Sequence, residues 1–340
     1  MIMTRGVDSL ADIIAWRRTL HAEFVYSMIV SSSLRRWHSR IQSQPTQHVA
    51  SLSGSAGSGT VPLAFTPATT PSASGAPVVF LHGLLGSATN FRTIQLSTAR
   101  SRPTYAFDLR NHGRSPHASG ASLDALAGDV AAALETSVKS SAGAVTIVGH
   151  SLGGKVGMRV AQTRPDLVGG PVVIDIAPVT YTGVTNSGWK SVQGVVRAAA
   201  ALDPAPYRTR AQVEAALAEH VPEPGVRSFV AQNLVPQANG AAGFAWRVNF
   251  PAILAALDDY ASYPPAPVAV IAGAPRALPA GVHFIAGELS PYIGPQHRDA
   301  IQSLFPGAST HVVAGAGHWV HADKPREFWS LLARVSGINE

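Results

Sequence analysis

The sequence predicts an α/β protein: a mostly parallel central sheet with flanking helices and an inserted helical cap. Three observations carry this. Short apolar runs rich in β-branched and aromatic residues alternate with stretches of helical period. One such run, residues 144–148, breaks into Gly149-His150-Ser151-Leu152-Gly153, and a helical pattern follows at once. Strand signals then vanish between Val179 and about Tyr263, where helical patterns take over.

In chain order, 61–65 predicts an early edge strand. Val78-Val79-Phe80-Leu81 and Tyr105-Ala106-Phe107 are apolar throughout, as strands covered on both faces must be. Ser122 is placed to cap a helix whose inner face is Leu123, Leu126, Val130, Leu134 and Val138. The run 144–148 enters the serine turn, and the helix after it runs to about Thr163, stopped by Pro165. Residues 171–176 predict another buried strand. Within the insertion, 211–220, 226–233 and 251–260 predict helices. Residues 282–286 and 311–313 predict the last strands, and 327–335 a closing helix. The stretch 264–281, rich in Pro, Ala and Gly, supports no assignment.

Residues 1–58 read differently. The span from Phe24 to Phe107 holds no Asp or Glu, and lysine first appears at Lys139. Arginine and serine are frequent, the composition of an organelle transit segment, mitochondrial or plastid; a cytosolic extension is the alternative. The expected division is therefore an N-terminal extension, 1–58, and one domain, 59–340, with its cap at about 179–263. Residues 1–75 carry half of the formal charge of +6. No basic helix or interleaved aromatic patch accompanies that charge, so nucleic-acid binding is not expected. With 46% hydrophobic and 14% charged residues among 340, the chain can bury a large core. The absence of cysteine removes disulfides, thiolate metal sites and a cysteine nucleophile. No apolar run approaches the roughly 20 residues of a membrane span. Nothing in the pattern specifies an oligomeric state.

The serine turn reads as a nucleophile elbow, in which a strand bends sharply into a helix and lifts one hydroxyl clear of the sheet. A serine hydroxyl is a weak nucleophile at its free pKa. It needs a base within reach and an acid to hold that base's tautomer. In such sheets the order is Ser, acid, His. Ser151 comes first, and His318, in the Gly-rich loop after the last strand, is the candidate base, with His321 its nearest rival. The usual acid position, after the penultimate strand, reads Gly287-Glu288-Leu289-Ser290 and holds serine. Asp175, at the end of an apolar strand, is preferred, because a charge there is costly without a partner. Glu288 is the alternative acid, and Ser290 an auxiliary contact to the histidine. The backbone N–H groups of Leu84 and Leu152 are the expected oxyanion donors. His82, Leu85, His150, Trp246, Arg247 and Trp319 are the substrate-pocket candidates. For His82 and His150 the competing reading is structural; Arg247 either meets an acidic acyl tail or pins cap to core. Asp108, Arg110, His112 and Arg114 read as a loop brace.

These stretches together resemble the α/β-hydrolase superfamily and are similar to its YbfF/ABHD11-like esterase branch. The resemblance rests on Phe80-Leu81-His82-Gly83-Leu84-Leu85-Gly86-Ser87, Asp108-Leu109-Arg110-Asn111-His112-Gly113-Arg114-Ser115 and Gly149-His150-Ser151-Leu152-Gly153-Gly154-Lys155. Asp175-Ile176-Ala177-Pro178, Trp246-Arg247-Val248-Asn249 and Gly317-His318-Trp319-Val320-His321 continue it in order. It implies an α/β-hydrolase fold and a serine esterase or thioesterase of small to medium acyl substrates, with no metal and no cofactor. It also associates the acid with the Asp175 position and a serine with the Ser290 position. The long N-terminal segment and the stretch 264–280 depart from the family pattern. An acyltransferase or lyase on the same fold would keep the same residues, and a non-catalytic hydrolase-like receptor would keep the pocket.

Overall fold

The computed structural model of the chain describes residues 59–138, 143–182, 187–265, 270–271, 274–275 and 281–338. The proposed transit segment, 1–58, and most of 264–281 lie outside the described residues.

The first half of the domain holds β1 (Phe65–Ala68), β2 (Val78–Leu81), α1 (Arg92–Thr98), β3 (Thr104–Phe107), α2 (Leu123–Ser137), β4 (Thr146–His150), α3 (Leu152–Thr163) and β5 (Val172–Ile174). The insertion holds α4 (Ser187–Ala201), α5 (Arg210–Leu217), α6 (Pro224–Ala231), β6 (Leu234–Pro236), β7 (Phe244–Trp246), α7 (Phe250–Ala255) and α8 (Leu257–Ala261). After it come the short pair β8 (Val270–Ile271) and β9 (Ala274–Pro275), then β10 (His283–Gly287), α9 (Arg298–Leu304), β11 (Ser309–Val313), α10 (Val320–Asp323) and α11 (Pro325–Ser336).

Seven strands form one sheet in the order β1-β3-β2-β4-β5-β10-β11. Only β1 runs antiparallel to its neighbour; the other pairings are parallel. Alternation along the strands sends side chains to two cores. Val78, Phe80, Val148 and Ile174 pack with α11 on one face, while Val79, Leu81, Ile147 and Val173 pack with α2 and α3 on the other. Both faces are covered, which is why the strands are apolar without a polar side. The Ser122 hydroxyl caps α2 by accepting from the Ala125 N–H at 3.1 Å. Pro325 opens α11, where its missing N–H costs nothing, and Gly337 ends it at φ 60°. No described helix is long and apolar enough to cross a membrane.

Four expectations need correction. The edge strand lies at Phe65–Ala68, beyond the expected 61–65; the Val61 N–H instead donates to Asp129 Oδ1 at 2.7 Å. The insertion is not free of strands: β6 and β7 pair antiparallel, but three residues each are too few to show a period of two. The helix expected over 251–260 is broken at Ala256, which takes φ −101° and ψ 2° between α7 and α8. The longest helix of the insertion, α4, lies outside the helices expected there, although Trp189, Val192 and Val196 recur at helical spacing.

Candidate active site

The parallel order brings the ends of β4, β5 and β10, and the loop after β11, to one edge of the sheet. Ser151 sits where β4 turns into α3, at φ 51° and ψ −115°, a left-handed conformation costly for any residue with a Cβ. Its N–H donates to the Ile174 carbonyl at 2.9 Å, and its carbonyl accepts the Lys155 N–H at 3.0 Å. Glycine is required on either side. A Cβ at Gly149 would strike the Gly153 carbonyl, and one at Gly153 the Leu81 carbonyl. Leu152 opens α3, so its N–H has no intrahelical acceptor. Leu84 lies in the turn closed by the Gly86 N–H on the Gly83 carbonyl at 2.9 Å. Among the described residues, neither the Leu84 nor the Leu152 N–H donates to a protein acceptor.

His318 and Asp175 meet. Nδ1 of His318 lies 2.8 Å from Oδ2 of Asp175. A carboxylate only accepts, so Nδ1 carries the hydrogen and Nε2 is left bare as a base. Asp175 is fully buried at φ 52°, with its N–H on the Ile285 carbonyl at 2.8 Å. An unpaired carboxylate there would cost several kcal/mol. Three donors offset that cost: His318, the Gly287 N–H at 3.0 Å from Oδ1, and the Ser290 hydroxyl on Oδ2. Ser290 therefore touches the acid and not, as expected, the histidine. Glu288 is turned away: its Oε2 accepts the Gly315 N–H at 2.7 Å.

Three further histidines surround these groups. His150 donates through Nε2 to the His318 carbonyl at 2.8 Å, tying the elbow to the histidine loop. Burial holds His150 well below the ordinary imidazole range. Burial takes His321 to about 4; its ring stacks on Phe91 at 4.9 Å, and it does not meet Asp175. His82 is a brace, donating through Nδ1 to the Gly83 carbonyl at 2.8 Å and accepting the Leu109 N–H at 3.0 Å. Asp108 and Asp129 hold the following loop: Asp108 accepts from Ala88 N–H and Arg114, and Asp129 pairs with Arg110 at 2.5 Å.

Ser151 and His318 open onto one cavity of about 1160 Å³, walled by Leu84, Leu85 and Leu152 below and by Trp189, Val192 and Phe229 of the insertion above. Among the described residues no group of three or more His, Asp or Glu is arranged to hold a metal ion.

A strained serine between strand and helix, a carboxylate–imidazole pair opening onto the same cavity and two idle N–H groups form a set known from one large family. The family model described as "Alpha/beta hydrolase family" matches residues 78–331. The chain belongs to the alpha/beta hydrolase family. It is 36% identical over 260 residues to the mouse (Mus musculus) "sn-1-specific diacylglycerol lipase ABHD11", covering 75% of this chain and 79% of that one. It is 34% identical over 252 residues to "Esterase YbfF" of Escherichia coli K12, covering 73% and 88%. Among solved structures, a "Marine microorganism esterase" superposes with a TM-score of 0.73 at 30% identity, covering 81% of this chain and all of the other. Within the family the chain is a carboxylic ester hydrolase.

The pocket of this hydrolase differs from the expected one. Leu85, His150 and Trp319 line the cavity, but His82, Trp246 and Arg247 do not. Trp246 is turned into the insertion, donating to the Leu202 carbonyl at 2.9 Å and packing edge-on against Phe250. Arg247 donates to the Gln232 carbonyl at 3.0 Å and borders a separate shallow cleft. The wall residues in their place, Trp189, Val192 and Phe229, sit on α4 and α6. Their signal was the apolar helical period, which names a buried face without saying what it covers.

Proposed function

We propose that the chain is a serine hydrolase that cleaves carboxylic esters or thioesters of small to medium acyl groups through an acyl-enzyme. The observation that supports this most is the Asp175–His318 hydrogen bond at the edge of the cavity that holds Ser151. His318 Nε2 takes the Ser151 hydroxyl proton as Oγ bonds to the acyl carbonyl carbon. The oxyanion accepts from the Leu84 and Leu152 N–H groups, and the helix start adds its positive dipole end. The His318 imidazolium, stabilised by Asp175, returns its proton to the leaving alcohol or thiol as that bond breaks. Water then repeats the cycle on the acyl-enzyme, releasing the acid and restoring Ser151. The apolar wall and volume of the cavity suit an acyl chain rather than a charged one.

A fluorophosphonate probe should label the full chain and fail to label Ser151→Ala. A folded wild-type protein that takes no label would sink the reading. A panel of p-nitrophenyl esters and acyl thioesters of rising chain length reads the acyl preference. We further propose that residues 1–58 direct the chain to a mitochondrion or chloroplast, on the strength of their Arg- and Ser-rich, acid-poor composition. A reporter fused to them should enter an organelle; a diffuse cytosolic signal would refute this.

A further inference from the structure

Lys155 is unusual for its surroundings. It lies one helical turn after Ser151, on α3, and is almost wholly buried. The chemistry above gives it no task, yet it lines the same cavity. Its Nζ reaches four backbone carbonyls: Val179 at 3.3 Å, Tyr260 at 2.9 Å, Ala261 at 2.8 Å and Ser262 at 2.9 Å. Val179 is where the chain leaves the sheet for the insertion, and 260–262 is where it returns. One ammonium thus holds both roots of the insertion.

The clasp continues towards the histidine. Nζ lies 5.1 Å from the centre of the Tyr181 ring, in reach of a cation–π contact. The Tyr181 N–H donates to the Ala261 carbonyl at 2.9 Å. Its hydroxyl accepts the Ala177 N–H at 2.8 Å and donates to the Tyr292 carbonyl at 2.5 Å. The Tyr292 ring lies 4.3 Å from that of His318.

We propose that Lys155 is a positioning residue: it clasps both roots of the insertion to the helix that carries Ser151 and, through Tyr181 and Tyr292, sets the wall against which His318 stands. This rests on the serine-hydrolase reading above. The contacts favour a cation. Carbonyls only accept, and an ammonium brings three donors where a neutral amine brings two. Burial opposes this and pushes the ammonium down to about 7, with Asp259 acting the other way. A buried lysine kept against that penalty is poorly explained by packing alone, since methionine would fill the same space. An insertion held at its roots keeps Trp189 and Val192 over the cavity, so the clasp bears on substrate fit as well as on His318.

The test compares full-length wild type with Lys155→Met and Lys155→Gln, well below their melting temperatures. Lys155→Met should lose about tenfold or more in kcat/KM on p-nitrophenyl octanoate, less on the acetate, and label more slowly with a fluorophosphonate. Lys155→Gln, which keeps N–H donors, should recover part of that loss. A folded Lys155→Met with wild-type kcat, KM and labelling rate overturns the proposal, whatever its melting temperature. Failure of the wild type itself to label would instead count against the serine-hydrolase reading. Should Lys155→Met not fold, Tyr181→Phe decides. It keeps the ring under the ammonium but cuts the bond to Tyr292, so kcat should fall with KM nearly unchanged. Wild-type turnover in Tyr181→Phe would then overturn the proposal.

Discussion

The rim of the sheet and the inserted segment meet across one cavity but are built on opposite principles. Among the described residues, four non-glycine positions take positive φ: Leu85, Asn111, Ser151 and Asp175. Each follows the C-terminal end of a strand, β2, β3, β4 or β5 in turn. Such conformations cost roughly 1–3 kcal/mol apiece and persist only where the surroundings over-determine them. The parallel sheet does so: its strands are buried on both faces, and the polar atoms of His82 and Asp175 at its rim are met by dedicated partners, although Asn111 Nδ2 and His112 Nε2 are buried there without one among the described residues. Among the described residues the insertion has no positive-φ position outside glycine, though polar groups of its own are met, Asn233 on the Leu85 carbonyl and Trp246 on the Leu202 carbonyl among them. It presents apolar side chains to the cavity and is held at its roots through main-chain carbonyls. Strain held by a doubly covered sheet suits a place where atoms must be held to fractions of an ångström. A loosely specified apolar wall suits a place where only shape and volume are read. On the proposed mechanism the rim is the part that bears on rate, and the insertion the part that bears on which acyl group fits.

The largest effects should come from the rim. Ser151→Ala and Asp175→Asn are each expected to lower kcat about 10⁴-fold on a p-nitrophenyl ester, with melting temperatures near wild type. Glu288→Gln should stay within about threefold, since its carboxylate serves only the Gly315 N–H. If Glu288→Gln alone lost activity, the acid would have been misassigned. Next, Gly153→Val should cost on the order of 3 kcal/mol or more in denaturant unfolding, because its Cβ would press on the Leu81 carbonyl. A mild effect would show that the elbow yields, against the rigidity claimed for the rim.

Acid should act on the rim as well. Burial lowers the folded-state pKa of His112 to about 3 and of His321 to about 4, from an ordinary 6.5. Below pH 6.5 the unfolded chain therefore binds protons that the folded chain refuses. The stability these groups contribute is complete above about pH 6.5 and is lost as pH falls towards 4 and 3. For His321 alone the loss is on the order of 3 kcal/mol. His321→Phe, which keeps the stack on Phe91, should flatten the slope of melting temperature against pH between 6.5 and 4. A smaller effect than those on the triad, and one that depends on chain length, belongs to the insertion. Val192→Phe narrows the cavity, so p-nitrophenyl octanoate should lose about tenfold in kcat/KM while the acetate stays within about twofold. Equal losses on both esters would erase the proposed division between rim and insertion.

What could be read from the sequence followed how local each feature is. Val78 to Leu81 and Thr146 to His150 declare strands by composition, and Ser122 marks a helix start by its own hydroxyl. Gly149 must leave room for the Gly153 carbonyl, a constraint contained within five residues, whereas Gly153 must leave room for the Leu81 carbonyl, 72 positions away. The strands, the Ser122 cap and Gly149 do not depend on a distant partner. Asp175 was an intermediate case. Its neighbours say that a charge is buried, and burial demands a partner, but not which one.

The sequence alone determined the class of fold, the elbow and the short list of polar residues, because each rests on φ/ψ preference, period or the cost of burying charge. Only the tertiary structure decided the pairings. His318 meets Asp175 across 143 positions because β10 lies between β5 and β11 in parallel register, and that order sends Ser290 to the acid and Glu288 elsewhere. It also turned Trp246 and Arg247 away from the cavity and put Trp189 and Val192 over it. A helical period shows that a face is covered. What covers it is set by where the chain returns, and Lys155, holding both roots of the insertion beside Ser151, is where that return is anchored.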